Sequence, residues 1–187
     1  MSHAHSIRAR LMNIARDKGI PFQIIAFRYL HERFLYRLSV SEYNKTLLLK
    51  GGNLLYYEKG LLARPTKDID LEGLRLPSDK ETVANIISAV CSVRYPFDEV
   101  WFDTSSLISE SIAEKHTQGS VRINVNCGFH TVKQRIQIDI SFGDSVIPEP
   151  RQLTYPTLLD DNDAVLLWAC LLYTSDAADE EDSVDLG

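Results

Sequence analysis

A chain of 187 residues, 44% hydrophobic and 25% charged, is long enough to bury a core and suits one domain with at most a small appendage. No apolar run approaches the roughly 18 residues of a membrane span, the start "MSHAHSIRAR" lacks a signal-peptide core, and three cysteines form neither a metal-ligand spacing nor an even disulfide set, so the expectation is a cytoplasmic protein with no membrane contact. The formal charge of −6 is confined to the end: Asp176, Asp179, Glu180, Glu181, Asp182 and Asp185 are the excess acids, and residues 1–169 hold 20 basic and 20 acidic side chains, a balance that gives no signal for nucleic acid.

The first 45 residues read as a helical segment. "SIRARLMNIARDKGI" places Ile7, Leu11 and Ile14 on one stripe and ends at Gly19 and Pro21. A second helix starts with Pro21 in its first turn and carries Phe22, Ile25, Tyr29, Phe34 and Leu38. His31 and Glu32 fall inside it and are expected to be exposed or hydrogen-bonded rather than to ligate metal. Arg28, Arg33 and Arg37 are expected to form a solvated helix face, a basic strip for RNA being the alternative.

Residues 46–169 form the expected core domain. Residues 47–49 suit a buried strand, Gly51 and Gly52 break it, and residues 53–59 suit a short helix. At 68–72, "DIDLE" alternates, so Asp68 and Asp70 share one face of a strand while Ile69 and Leu71 take the other. "SDKETVANIISAVCSV" reads as a helix capped by Ser78, with Glu81 completing a capping box. Period two then takes over in "EVWFD", "GSVRINVNCGF" and "QRIQIDISFGD", the last two forming a hairpin around His130 and Thr131. The predicted fold class is α+β, with helices first and a mixed sheet after them.

The segment 170–187, "CLLYTSDAADEEDSVDLG", resembles a translated sequencing adapter. Residues 170–175 can be encoded by TGT CTC TTA TAC ACA TCT, similar to a transposase mosaic end; residues 176–180 fit the adapter that follows, and residues 184–187 fit GTA GAT CTC GGT. A genuine acidic tail is the alternative. The expectation is a natural sequence cut off near Ala169, followed by a non-native tail.

Three features carry chemistry. A Gly-Gly turn that opens a helix lets backbone N–H groups approach an anion. Two like charges on one strand face, Asp68 and Asp70, call for a cation between them, and a divalent metal takes carboxylate oxygens readily. Asp139, flanked by Ile136, Ile138 and Ile140, must be paired, protonated or metal-bound, with Arg135 or Lys133 as the candidate ion-pair partner. Together the three describe a triphosphate turn with a two-metal carboxylate clamp.

With "SIRARLMNIARDKGIPFQ", "ERFLYRLSVSEY", "LLLKGGNLL", "RPTKDIDLEG", "IQIDISFGDSVIPEP" and "YPTLLD" in order, the chain resembles the AbiEii/AbiGii family over roughly residues 6–169. These are nucleotidyltransferase-fold toxins of abortive-infection, type IV toxin–antitoxin systems. The resemblance implies a polymerase-β-like nucleotidyltransferase that uses an NTP with two Mg²⁺ ions and has a cognate antitoxin; some relatives transfer nucleotides to tRNA. It assigns Gly51 and Gly52 to the phosphate loop, Asp68 and Asp70 to the metals, and Asp139 to the third acid. Lys50 and Arg64 would neutralise phosphate and Thr66 would hydrogen-bond it. Their ordinary alternatives are a strand-end cation, an ion-pair partner of Glu72 and a turn residue.

Two departures stand out. Asn53 follows Gly52 where the superfamily favours Ser or Thr after the first glycine, so a backbone or amide contact would have to substitute. The C-terminal helical region with its lysine is also missing, which is expected to bare an apolar sheet face and to impair activity. The alternatives to a toxin enzyme are a catalytically inactive binding protein of the same fold and a non-toxin small-molecule nucleotidyltransferase.

Overall fold

A computed structural model describes residues 3–112, 119–143 and 149–170, without the side chains of residues 3–5. The adapter-like segment lies outside the described residues from position 171 onward. Helix α1 (His3–Lys18) buries Ile7, Leu11 and Ala15, and Gly19 ends it at φ 66°. Helix α2 (Phe22–Ser39) follows, with Pro21 one residue outside it as the N-cap. Strand β1 (Leu47–Lys50), helix α3 (Gly52–Lys59), strand β2 (Asp68–Gly73) and helix α4 (Lys80–Cys91) come next. The α4 cap is Asp79, not Ser78: its carboxylate accepts the Thr82 N–H at 2.9 Å. Asp is at least as good an acceptor there as Ser and stands one residue closer to the first helical turn.

Strands β3 (Trp101–Ile112), β4 (Ser120–Phe129), β5 (Val132–Phe142), β6 (Arg151–Tyr155) and β7 (Val165–Ala169) complete the described fold. All seven strands join one sheet in the order β3-β4-β5-β2-β1-β7-β6. β2 pairs parallel with β5 and β1 parallel with β7, while the other neighbours are antiparallel, so the α+β mixed sheet is as predicted. The β4–β5 hairpin turns at His130 and Thr131, and His130 takes φ 48° to close it. β3 runs well past the "EVWFD" stretch, with a register shift between Asp103 and Ile108; β6 and β7 were not foreseen.

Alternation divides the sheet. Ile69, Leu71, Val121, Ile123, Val125, Ile136, Ile138 and Ile140 are buried on the face that α2 and α4 cover. The opposite face of β2, β4 and β5 is polar. Among the described apolar residues on that face of the sheet, Leu48 and Cys170 are buried and Trp168 is half-buried, while Trp101, Ile108 and Leu166 are exposed, so bare apolar surface is scattered rather than continuous.

The arginines of α2 correct the solvated-face expectation. Arg33 and Arg37 are buried, and neither forms part of a basic strip. Arg37 meets Asp98 at 2.7 Å, with exposures of 2% and 0%, and Arg33 meets Glu32 at 2.8 Å beneath the Tyr36 ring. Glu32 also accepts the Leu158 N–H at 2.6 Å and the Asn162 amide at 3.1 Å. Its hydrogen-bonded role is as predicted; exposure is not. Burial raises the Glu32 carboxyl to about 7. Arg28 is half-buried, donates to the carbonyls of Gly60 and Ala63, and lies over the Tyr56 ring.

Candidate active site

The strand registers assemble three acids. Parallel pairing of β2 with β5 sets Asp68 opposite Gln137, Asp70 opposite Asp139 and Glu72 opposite Ser141. Antiparallel pairing with β1 sets Lys50 opposite Asp70. Laterally paired residues point to the same side of a sheet, so Asp68, Asp70 and Asp139 converge. Each offers a carboxylate oxygen, and these oxygens lie within 4.8 Å of one another. Among the described residues no other group of acids, histidines or cysteines is arranged to hold a metal. Partial burial raises the Asp70 pKa, the neighbouring Asp68 charge and then Asp139 raise it further, and the Gly52 N–H opposes the shift. Hard oxygen donors crowded in this way fit a divalent cation of the Mg²⁺ type, which would relieve their repulsion.

The glycine turn is built against the same acids. Gly51 sits at φ 67°, ψ −145°, and a Cβ there would fall 2.1 Å from Asp70 Oδ2. The absence of a side chain therefore lets the backbone close onto the carboxylate. The Gly52 N–H, at the start of α3, donates to Asp70 at 3.4 Å. The Thr66 hydroxyl donates to Asp68 Oδ1 at 2.8 Å and approaches the Asp68 carbonyl at 3.2 Å. The Asn53 amide donates to that carbonyl at 3.0 Å and accepts from the Tyr155 hydroxyl at 3.2 Å.

Seven of the sequence-nominated residues, Gly51, Gly52, Asn53, Thr66, Asp68, Asp70 and Asp139, thus lie in one contiguous patch. Asn53 is buried, with its amide turned to the rear of Asp68. Lys50 points along the polar face to Glu72, 3.0 Å away, and to the Ser141 hydroxyl. Arg64 is not the partner of Glu72; it is exposed and lines a small recess open to solvent, with Asn53, Thr66 and His31. The His31 ring is 3% exposed, its Nε2 has no hydrogen-bond partner, and burial lowers its pKa to about 4.

One residue was missed by sequence reasoning. Arg122 on β4 forks both oxygens of Asp139, Nε to Oδ1 at 2.8 Å and Nη2 to Oδ2 at 2.7 Å. The partner of Asp139 is therefore Arg122, not Arg135 or Lys133. Those two lie further along β5 itself, whereas Arg122 is directly opposite across the hairpin. Counting back strand by strand from the turn at His130 and Thr131 would have found it.

A family model described as "Nucleotidyl transferase AbiEii toxin, Type IV TA system" matches residues 33–178, from within α2 into the segment beyond β7. No curated protein shows significant similarity to the sequence. A solved structure from H. pylori, named as a candidate nucleotidyltransferase, aligns over 72% of this chain and 52% of its own, at 15% identity and a TM-score of 0.46. JHP933 from Helicobacter pylori aligns over 69% of this chain and 48% of its own, at 14% identity and a TM-score of 0.43. The chain thus spans about half the length of the solved chains it matches. No helix among the described residues is long and apolar enough to cross a membrane.

Proposed function

We propose that this chain, which belongs to the AbiEii nucleotidyl transferase toxin family of type IV toxin–antitoxin systems, transfers a nucleotide from an NTP to an RNA acceptor of the tRNA type with Mg²⁺. The observation that carries the reading is the alignment of Asp70 with Asp139 across β2 and β5, with Asp68 beside them and the Gly51–Gly52 turn closing on Asp70. Family membership brings a cognate antitoxin as partner.

Asp68, Asp70 and Asp139 would hold the cations. When bound, the metal ions supply Lewis-acid activation of the attacking hydroxyl and charge stabilisation of the departing pyrophosphate. The chain's own contribution is positioning. The Thr66 hydroxyl fixes the Asp68 carboxylate, and Asn53, anchored by Tyr155, fixes the backbone beneath it. The Gly52 N–H at the start of α3 orients Asp70, and the turn offers backbone dipoles to a triphosphate. Lys50, next to Asp70 by strand register, and Arg64, beside Thr66, bring positive charge suited to phosphate oxygens.

The test is Asp68→Ala in the full-length protein, read as growth arrest on induction and as incorporation of labelled NTP into RNA. Loss of both, with the far-ultraviolet spectrum unchanged, is expected. Growth arrest that persists in Asp68→Ala would refute the enzymatic reading and favour a non-catalytic binding protein.

A further inference from the structure

We propose that Arg122 is a displaceable counter-ion of the acidic site: it neutralises Asp139 while the site holds no metal and lets go when a divalent cation enters. The inference rests on the metal reading of Asp68, Asp70 and Asp139 and adds a residue which that reading does not contain.

Three carboxylates with oxygens within 4.8 Å of one another repel, and a cation among them relieves that repulsion. Of the cations on this face, Lys50 is turned to Glu72 and Ser141, and Arg135 and Lys133 lie nearer the hairpin turn on β5, which leaves Arg122 on the acids themselves. Its fork engages both oxygens of Asp139, one nitrogen on each, and the Gln137 amide adds a third donor to Oδ2 at 3.1 Å, so about three of the four lone-pair positions are taken. A metal that takes Asp139 as ligand therefore competes with Arg122 for the same lone pairs, and with two positive charges it is the stronger competitor at three carboxylates.

Exposure makes the exchange feasible. The Arg122 and Asp139 side chains are 36% and 20% exposed, against 2% and 0% for Arg37 and Asp98. A partly solvated guanidinium recovers its water when it leaves, and such pairs contribute little net stability. A buried pair could not part so easily, because each charge would be stranded. Release is also local: β4 and β5 stay joined by backbone pairing from Ser120–Ser141 to Phe129–Val132 without any help from Arg122.

The experiment measures Mn²⁺ binding to the full chain by electron paramagnetic resonance of the free ion, for wild type, Arg122→Gln, Arg122→Lys and Asp70→Asn, with a thermal melt of each with and without Mn²⁺. Arg122→Gln is expected to bind Mn²⁺ about three- to tenfold more tightly. Its melting temperature without metal should fall, and its rise on adding Mn²⁺ should exceed that of wild type. Arg122→Lys keeps the charge but loses the fork and should fall between the two, which carries the test if Arg122→Gln does not fold. Unchanged or weaker Mn²⁺ binding in a folded Arg122 variant would overturn the proposal while leaving the metal site intact. A wild type that binds no Mn²⁺, or an Asp70→Asn variant that binds it equally well, would overturn the metal reading together with it.

Discussion

Replacing Gly51 by alanine separates the backbone's part in the site from that of the acids. At φ 67° and ψ −145° the residue occupies a region almost closed to side chains, and holding a Cβ there costs about 1–3 kcal/mol. The new methyl would also lie 2.1 Å from Asp70 Oδ2, 2.7 Å from its Cγ and 2.8 Å from its Cβ. Turning the carboxylate cannot relieve the last of these contacts, because Cβ moves only with β2, which is pinned by its pairing to Lys50 and Asp139. Strain and overpacking together are expected to cost about 2–4 kcal/mol and to push Asp70 out of line with Asp139. Gly52→Ala is the control. Its φ is ordinary, and its Cβ would meet the Thr66 Oγ1 at 2.9 Å and the Thr66 Cβ at 3.0 Å, contacts that a shift of a few tenths of an ångström in the residue 66 loop relieves, so a smaller loss of about 1 kcal/mol is expected. Urea unfolding gives both stabilities, and Mn²⁺ binding reads the site. A Gly51→Ala protein within about 0.5 kcal/mol of wild type, with unchanged Mn²⁺ affinity, would refute the reasoning.

Two further outcomes test the helical side of the sheet. His31, held neutral with its pKa lowered to about 4 against an ordinary 6.5, contributes stability that is present above pH 6.5 and lost as the unfolded chain takes up its proton. Acidifying from pH 7 to pH 5 should cost about 2 kcal/mol through this group, a dependence that His31→Gln removes. Glu32, raised to about 7, acts in the opposite sense over the same window and is common to both proteins, so the difference between their urea midpoints isolates His31. An equal pH dependence in the two would count against a buried neutral imidazole. Asp98→Ala strands the buried Arg37 guanidinium and should destabilise by about 3–5 kcal/mol in urea unfolding; a loss below about 1 kcal/mol would mean that water reaches the pair.

The parts of the site that were legible in the sequence are those set by local alternation. Asp68-Ile69-Asp70 and the isoleucines around Asp139 fix which way each acid faces, because period two is a property of the strand itself. The two glycines were legible for the same reason: nothing else in the chain follows a leucine run with such a break. What stayed hidden was set by partners far along the chain. Arg33 and Arg37 read as solvent-facing because charge usually means exposure, and the residue that makes Arg37 burial tolerable, Asp98, is 61 positions away. β7 pairs with β1 across more than a hundred residues, and β6, an edge strand among the described residues, pairs with β7 across the loop 156–164, which is too long to carry a tight-turn signal. The Asp139 partner was missed through a narrower fault. The nearest cations in sequence were preferred to those nearest by register, although the two-residue turn specifies the register.

The distribution of ion pairs across the sheet bears on how such a site keeps its shape while changing occupants. On the helical side, the pairs Glu32–Arg33 and Arg37–Asp98 are 0–2% exposed, so parting them would leave charges in an apolar layer. They hold α2 to the β3 end of the sheet and to the Leu158–Asn162 loop. On the polar side, Arg122 and Asp139 remain within reach of water. The spacing of Asp70 and Asp139 depends on neither set; it is fixed by backbone pairing of β2 with β5, which side-chain exchange does not disturb. A site organised in this way can give up Arg122 for a cation without losing the alignment of its acids, because the exchangeable charge and the positioning structure are different parts of the molecule.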